Sequence, residues 1–67
     1  GPDLPARKLV EEATEVLVAA KDHAAGAADD RRLAEEVADT IYHLLVVCAE
    51  RGVAPADALA ILVERSR

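Results

Sequence analysis

The sequence has no Phe, Trp or Met, and only one Tyr and one Cys in 67 residues. A lone cysteine excludes an internal disulfide and suits a reducing compartment. With large aromatic and thioether side chains missing, the apolar 52 % of the chain is almost wholly Ala, Val, Leu and Ile. Such small aliphatic residues fill helix–helix seams but build a thin core in isolation. Strand-forming residues nowhere alternate with polar ones, so an all-α fold is expected. Long apolar runs are lacking too: none reaches the ~18 residues that span a bilayer, and no signal-peptide pattern is present. A soluble, cytoplasmic protein with no membrane partner is the expectation. Positive charge is scarce. Thirteen acids stand against eight bases, a formal charge of −5. No basic stripe is present, so nucleic acid is not an expected partner.

The length fits one domain spanning residues 1–67, with Gly1-Pro2 resembling the remnant of a cleaved tag. A chain this short buries only about 60 % of its unfolded surface. One small core rarely contributes more than ~3–5 kcal/mol, so metal, a partner subunit or both must supplement it.

Three helices are predicted. The first runs from Leu4 to Ala24, with Pro5 tolerated in its first turn. At about 100° per residue, Leu9, Val10, Ala13, Val16, Leu17 and Ala20 fall on one stripe. The alanine-rich stretch around Gly26 breaks the pattern, and Asp29-Asp30 suit the start of a second helix. That helix extends from Asp30 to Arg51 and stops at Gly52. Its apolar residues begin as a stripe (Leu33, Val37, Ile41, Leu44, Cys48) and then spread around the circumference through Leu45, Val46, Val47 and Ala49. A helix apolar on most sides is buried on most sides, and one short chain cannot cover it. The expected architecture is a helical hairpin plus a short third helix, assembling as a dimeric or higher helical bundle. Pro55 opens that third helix, with Asp57 in its first turn and Leu59, Leu62 and Val63 as its buried face.

Two acidic pairs carry the chemistry: Glu12-x-x-Glu15 and Glu36-x-x-Asp39. Residues three apart lie on nearly one helix face, and both pairs border the apolar stripe. His43 falls between Glu36 and Asp39 in angle. In an antiparallel hairpin, which the short connection favours, all four carboxylates can converge. Converging carboxylates repel one another unless a hard cation neutralises them, and magnesium is the natural choice. The competing reading is a solvated acidic face, because such pairs are common in Glu-rich helices. Spacing alone leaves both open.

Lys8-Leu9-Val10-Glu11-Glu12-Ala13-Thr14-Glu15, followed by Ala19-Ala20-Lys21, resembles the first signature of the phosphoribosyl-ATP pyrophosphohydrolases. The run from Glu35 to Val46, which includes Glu36, Asp39 and Tyr42-His43, resembles their second. Glu50-Arg51-Gly52-Val53 and Asp57 are similar to the closing turn and last helix. The paired acids alone are shared with the wider MazG-type NTP pyrophosphatases; Tyr42-His43 points to the phosphoribosyl-ATP branch. The resemblance implies an obligate helical dimer and a nucleotide substrate, phosphoribosyl-ATP, hydrolysed to phosphoribosyl-AMP and pyrophosphate in histidine biosynthesis. It implies magnesium, or manganese in its place, held by Glu12, Glu15, Glu36 and Asp39, through which these acids are catalytic. Glu11 becomes a supporting acid, and Lys8, Lys21 and His43 become candidate substrate contacts. Two departures stand out. Val10 occupies a position where Gly is common, and the helix and polar segment that precede the first signature in the family are absent from these 67 residues. Hydrolysis of other (deoxy)nucleoside triphosphates, and a non-catalytic helical dimerisation module, are the alternative functions.

The remaining residues have plainer roles. Lys8 and Lys21 need no role beyond solvated charges; His43, facing the acidic stripe, can hydrogen-bond a ligand carboxylate or a phosphate and equally suits a structural hydrogen bond. Tyr42 is expected to anchor the dimer seam, with base stacking as the alternative. His23 is expected at the surface and Cys48 in the core.

Overall fold

The computed structural model describes residues 1–67 as three α-helices and no strand: α1 (Asp3–Ala24), α2 (Asp30–Arg51) and α3 (Pro55–Arg65). α1 and α2 have 22 residues each, and each is about 33 Å long at 1.5 Å per residue. They pack antiparallel. The Gly1 amino group at the start of α1 lies 3.9 Å from Glu50 near the end of α2. α1 starts one residue earlier than its apolar pattern suggests.

The same device ends both long helices. The Ala27 amide donates to the Asp22 carbonyl and the Gly26 amide to that of His23; Val53 and Gly52 repeat the pattern on Cys48 and Ala49. This doubly bonded C-cap needs a left-handed residue, and Gly26 (φ 75°) and Gly52 (φ 67°) provide it. Asp29 then caps α2, its side chain accepting from the Arg32 amide. Pro55 opens α3, where its missing N–H costs nothing.

The α1–α2 seam is narrow. Ala19 is fully buried and no other residue is. Leu9, Glu12, Val16, Leu33, Glu36, Thr40, His43 and Val47 are half-buried. The α1 stripe read from the sequence therefore divides: Leu9 and Val16 turn inward, while Val10, Ala13, Leu17 and Ala20 face solvent. Most of the α2 stripe is also outside the seam, with Val37, Ile41 and Leu44 exposed and Cys48 half-buried rather than in a core. Leu59, Leu62 and Val63, expected to be covered, are exposed as well.

The physical reason is the shape. The molecule measures 39 × 35 × 14 Å, one layer of helices, with a radius of gyration of 14.0 Å. A compact chain of this length has about 11 Å. α3 stands away from the hairpin, leaving an open, apolar groove of about 380 Å³ lined by Ile41, Leu44, Leu45, Cys48, Pro55, Ala58 and Leu59. No helix is long and apolar enough to cross a membrane.

Candidate metal centre

Glu12 on α1 and Glu36 on α2 both point into the hairpin seam, where each is half-buried. Asp39, one turn beyond Glu36, stays exposed at the margin. One carboxylate oxygen from each of these three residues lies within 4.8 Å of the others. Glu15 falls outside that trio and is exposed, but its charge reaches Glu36. The hairpin thus gathers three of the four acids closely, with the fourth beside them.

Glu36 feels the crowding. Partial burial pushes its carboxyl above the ordinary value. The negative charges of Asp39, Glu15 and Glu12 push it further the same way, and only Arg32 opposes them. Thr40 does not relieve the repulsion, because its hydroxyl donates to the Glu36 backbone carbonyl. Three converging oxygens with no thiolate among them suit a hard divalent cation such as magnesium or manganese, and suit zinc poorly. The donor set fits the metal that the sequence suggests.

The other candidates lie apart from the trio or at its edge. Lys8 is exposed and pairs with Glu11 at 3.2 Å, an i,i+3 contact on the surface of α1. Lys21 is exposed near the end of α1. His43 does reach the site: its Nε2 is 3.9 Å from Glu12 Oε1, across the seam. The Tyr42 ring meets the His43 ring edge-on, with centroids 5.1 Å apart and planes at 80°.

Two contacts that the sequence reading overlooked span the turn. Arg32 Nη1 donates to Asp22 Oδ2 at 2.7 Å, and His23 Nε2 lies 2.6 Å from Asp30 Oδ1. A signal for them exists. Folding the chain back about Ala27 places residues 22 and 32 opposite each other, and nearly so 23 and 30, or 12 and 43. His23, expected simply at the surface, is half-buried and paired.

Comparison with known protein families matches residues 1–66 to phosphoribosyl-ATP pyrophosphohydrolase. The chain belongs to this family. Both acidic pairs and Tyr42-His43 lie within the matched residues. Among individual relatives of this family, the chain is 49 % identical over 65 residues to a phosphoribosyl-ATP pyrophosphatase of Acidovorax sp. (strain JS42), covering 97 % of this chain and 48 % of that protein. It is 51 % identical over 65 residues to the phosphoribosyl-ATP pyrophosphatase of Pelotomaculum thermopropionicum, covering 97 % and 61 %. It is also 48 % identical over 65 residues to the histidine biosynthesis bifunctional protein HisIE of Deinococcus radiodurans, covering 97 % of this chain and 28 % of that one. The chain thus spans about half the length of relatives such as the Acidovorax protein. No solved structure gives a significant match.

Proposed function

We propose that this domain serves the hydrolysis of phosphoribosyl-ATP to phosphoribosyl-AMP and pyrophosphate, with magnesium or manganese at Glu12, Glu36 and Asp39 and with Glu15 completing the set. The observation that carries the proposal is the convergence of those three carboxylates in a chain of this family.

Bound there, a divalent cation would neutralise phosphate charge and make a coordinated water more acidic. The chain's own residues set up the rest. Glu12 and Glu36, fixed on two packed helices, hold their oxygens within 4.8 Å of each other and in partial shelter from solvent. Asp39 at the margin leaves the site open on one side for a triphosphate to approach. Water adds to phosphorus as the bridging α–β P–O bond breaks; pyrophosphate leaves, and the proton passes to the surrounding carboxylates. Lys8 and Lys21 are the basic side chains of α1 that we assign to the phosphates, and the reaction belongs to the cytoplasm.

A second copy of the chain is part of this reading. Leu17, Ile41, Leu44, Leu59 and Leu62 are all exposed on a molecule one helix layer thick. An apolar surface this extensive marks an association face, and a homodimer closes it. Tyr42, with its ring exposed, lies where it would join that interface.

Pyrophosphate release from phosphoribosyl-ATP, measured with magnesium and with excess chelator, tests the activity. Magnesium-dependent release is expected. Faster release from ordinary nucleoside triphosphates would move the assignment to MazG-type pyrophosphatases. No release from any of them, by a folded and assembled chain, would leave a helical association module.

A further inference from the structure

We infer that His43 is a positioning residue for Glu12, holding that carboxylate in the seam with its oxygen turned toward Glu36 and Asp39. The inference rests on the seam being a cation site, and it assigns His43 a task other than contact with substrate.

Three observations support it. First, His43 and Glu12 come from opposite helices and meet where both are shielded: Nε2 is 3.9 Å from Oε1, and the side chains are only 21 % and 24 % exposed. Second, no other basic side chain lies within ion-pair distance of the trio, although the charge of Arg32 reaches Glu36. Lys8 is occupied by Glu11, Arg32 by Asp22, Arg31 by Glu35 and His23 by Asp30. His43 is the one nitrogen base within 4.0 Å of Glu12, Glu36 or Asp39. Third, the Tyr42 ring lies edge-on against the imidazole, so the imidazole has a neighbour on its own helix as well as Glu12 on α1. A glutamate has rotamer freedom to lose before it can act as a ligand, and an N–H donor at the edge of the site removes part of that freedom beforehand. A 3.9 Å approach is longer than a hydrogen bond, so positioning of Glu12 by His43 requires the contact to shorten when a cation binds. The loss of such a supporting partner typically weakens metal affinity ~10–100-fold.

The test is titration of the chain with Mn²⁺, following the paramagnetic signal of the free ion, for wild type, His43→Ala and His43→Gln. Helicity of each is measured alongside. The Gln side chain places an N–H donor close to where Nε2 lies. Expected are binding by wild type, about tenfold weaker binding by His43→Ala at unchanged helicity, and near-complete recovery in His43→Gln. Equal binding by all three overturns the role of His43 while leaving the cation site standing. A loss in His43→Gln as large as in His43→Ala also overturns it, because the imidazole itself would then be needed. Absence of binding by wild type overturns the cation site and this inference together.

Discussion

Along the seam between α1 and α2, the half-buried side chains include Glu12, Arg32, Glu36, Thr40 and His43. Around the outside of the same helices, Val10, Leu17, Val37, Ile41, Leu44 and Leu45 face solvent. Leu9, Val16, Ala19, Leu33 and Val47 share the seam with those charged and polar groups, but folded proteins ordinarily keep such charges out and large aliphatic side chains in. In the seam, acids held close to one another cost stability in the metal-free chain, as the raised Glu36 carboxyl records. Outside, large apolar side chains stay exposed, the face that the proposed homodimer would cover. In the function proposed above the two regions divide the work: the seam would carry the chemistry, and the outer surface would carry the stability, through assembly.

The strongest way to break that division is to charge the outer surface. Leu44 lines the groove between α2 and α3, and Leu44→Asp places an uncompensated carboxylate in the proposed interface. A loss of association on the order of 3–5 kcal/mol is expected. Sedimentation velocity across a concentration series reads it; an unchanged dimer would refute the interface.

Altering the seam gives the complementary result. Loss of a supporting partner costs ~10–100-fold in metal affinity, so loss of a ligand should exceed about 100-fold in metal-dependent turnover. Glu36→Gln should show that loss and yet fold, with a metal-free chain at least as stable as wild type because a repelling charge is gone. Unfolding of the variant, seen as lost helicity, would make the acid structural.

The same residue fixes a pH dependence. Glu36 binds its proton more tightly folded than unfolded. Its contribution to metal-free stability is therefore fully present below the ordinary glutamate value, and is lost as pH rises through the raised one. Chemical denaturation of the metal-free chain across mildly acidic pH should show this slope, and Glu36→Gln should flatten it. Magnesium affinity should move oppositely, rising as Glu36 ionises.

Smaller effects concern the parts that hold the hairpin. Gly52 has φ 67° and nothing within 4 Å of an added Cβ, so Gly52→Ala carries only the backbone penalty of about 1–2 kcal/mol. Asp22 and Arg32 are about two-fifths exposed, and solvent screens their pair. Arg32→Ala should cost roughly 0.2–1 kcal/mol, read as a small shift in Tm.

The three helices and their ends were legible because their signals are local. Asp29-Asp30, Gly52 and Pro55 act through backbone geometry within a turn or so of themselves. The approach of Glu12, Glu36 and Asp39 follows from two acidic pairs lying on adjoining antiparallel helices, whereas the place of Glu15 outside that trio does not follow from spacing. The division of the apolar stripe was not legible either. Helical periodicity reports that Leu9, Val16, Val10 and Leu17 share a broad face, but it cannot say which half meets α2 and which meets another molecule. That choice depends on the narrow approach at Ala19 and on α3 standing apart, both tertiary properties. The turn contacts of Arg32 and His23 depend likewise on register across the hairpin, which a search along single helices does not read.

The most direct test of the seam as a cation site is thermal unfolding of the chain in magnesium and in chelator at matched ionic strength. A ligand bound only by the folded state stabilises it by about 2.7 kcal/mol at a hundred times its Kd, an upward shift in Tm on the order of 10 °C for a domain of this size. The account predicts that shift for wild type and its absence in Glu36→Gln. An identical Tm with and without magnesium, while Glu36→Gln alone raises it, would mean that the carboxylates repel one another in the seam without a cation to hold.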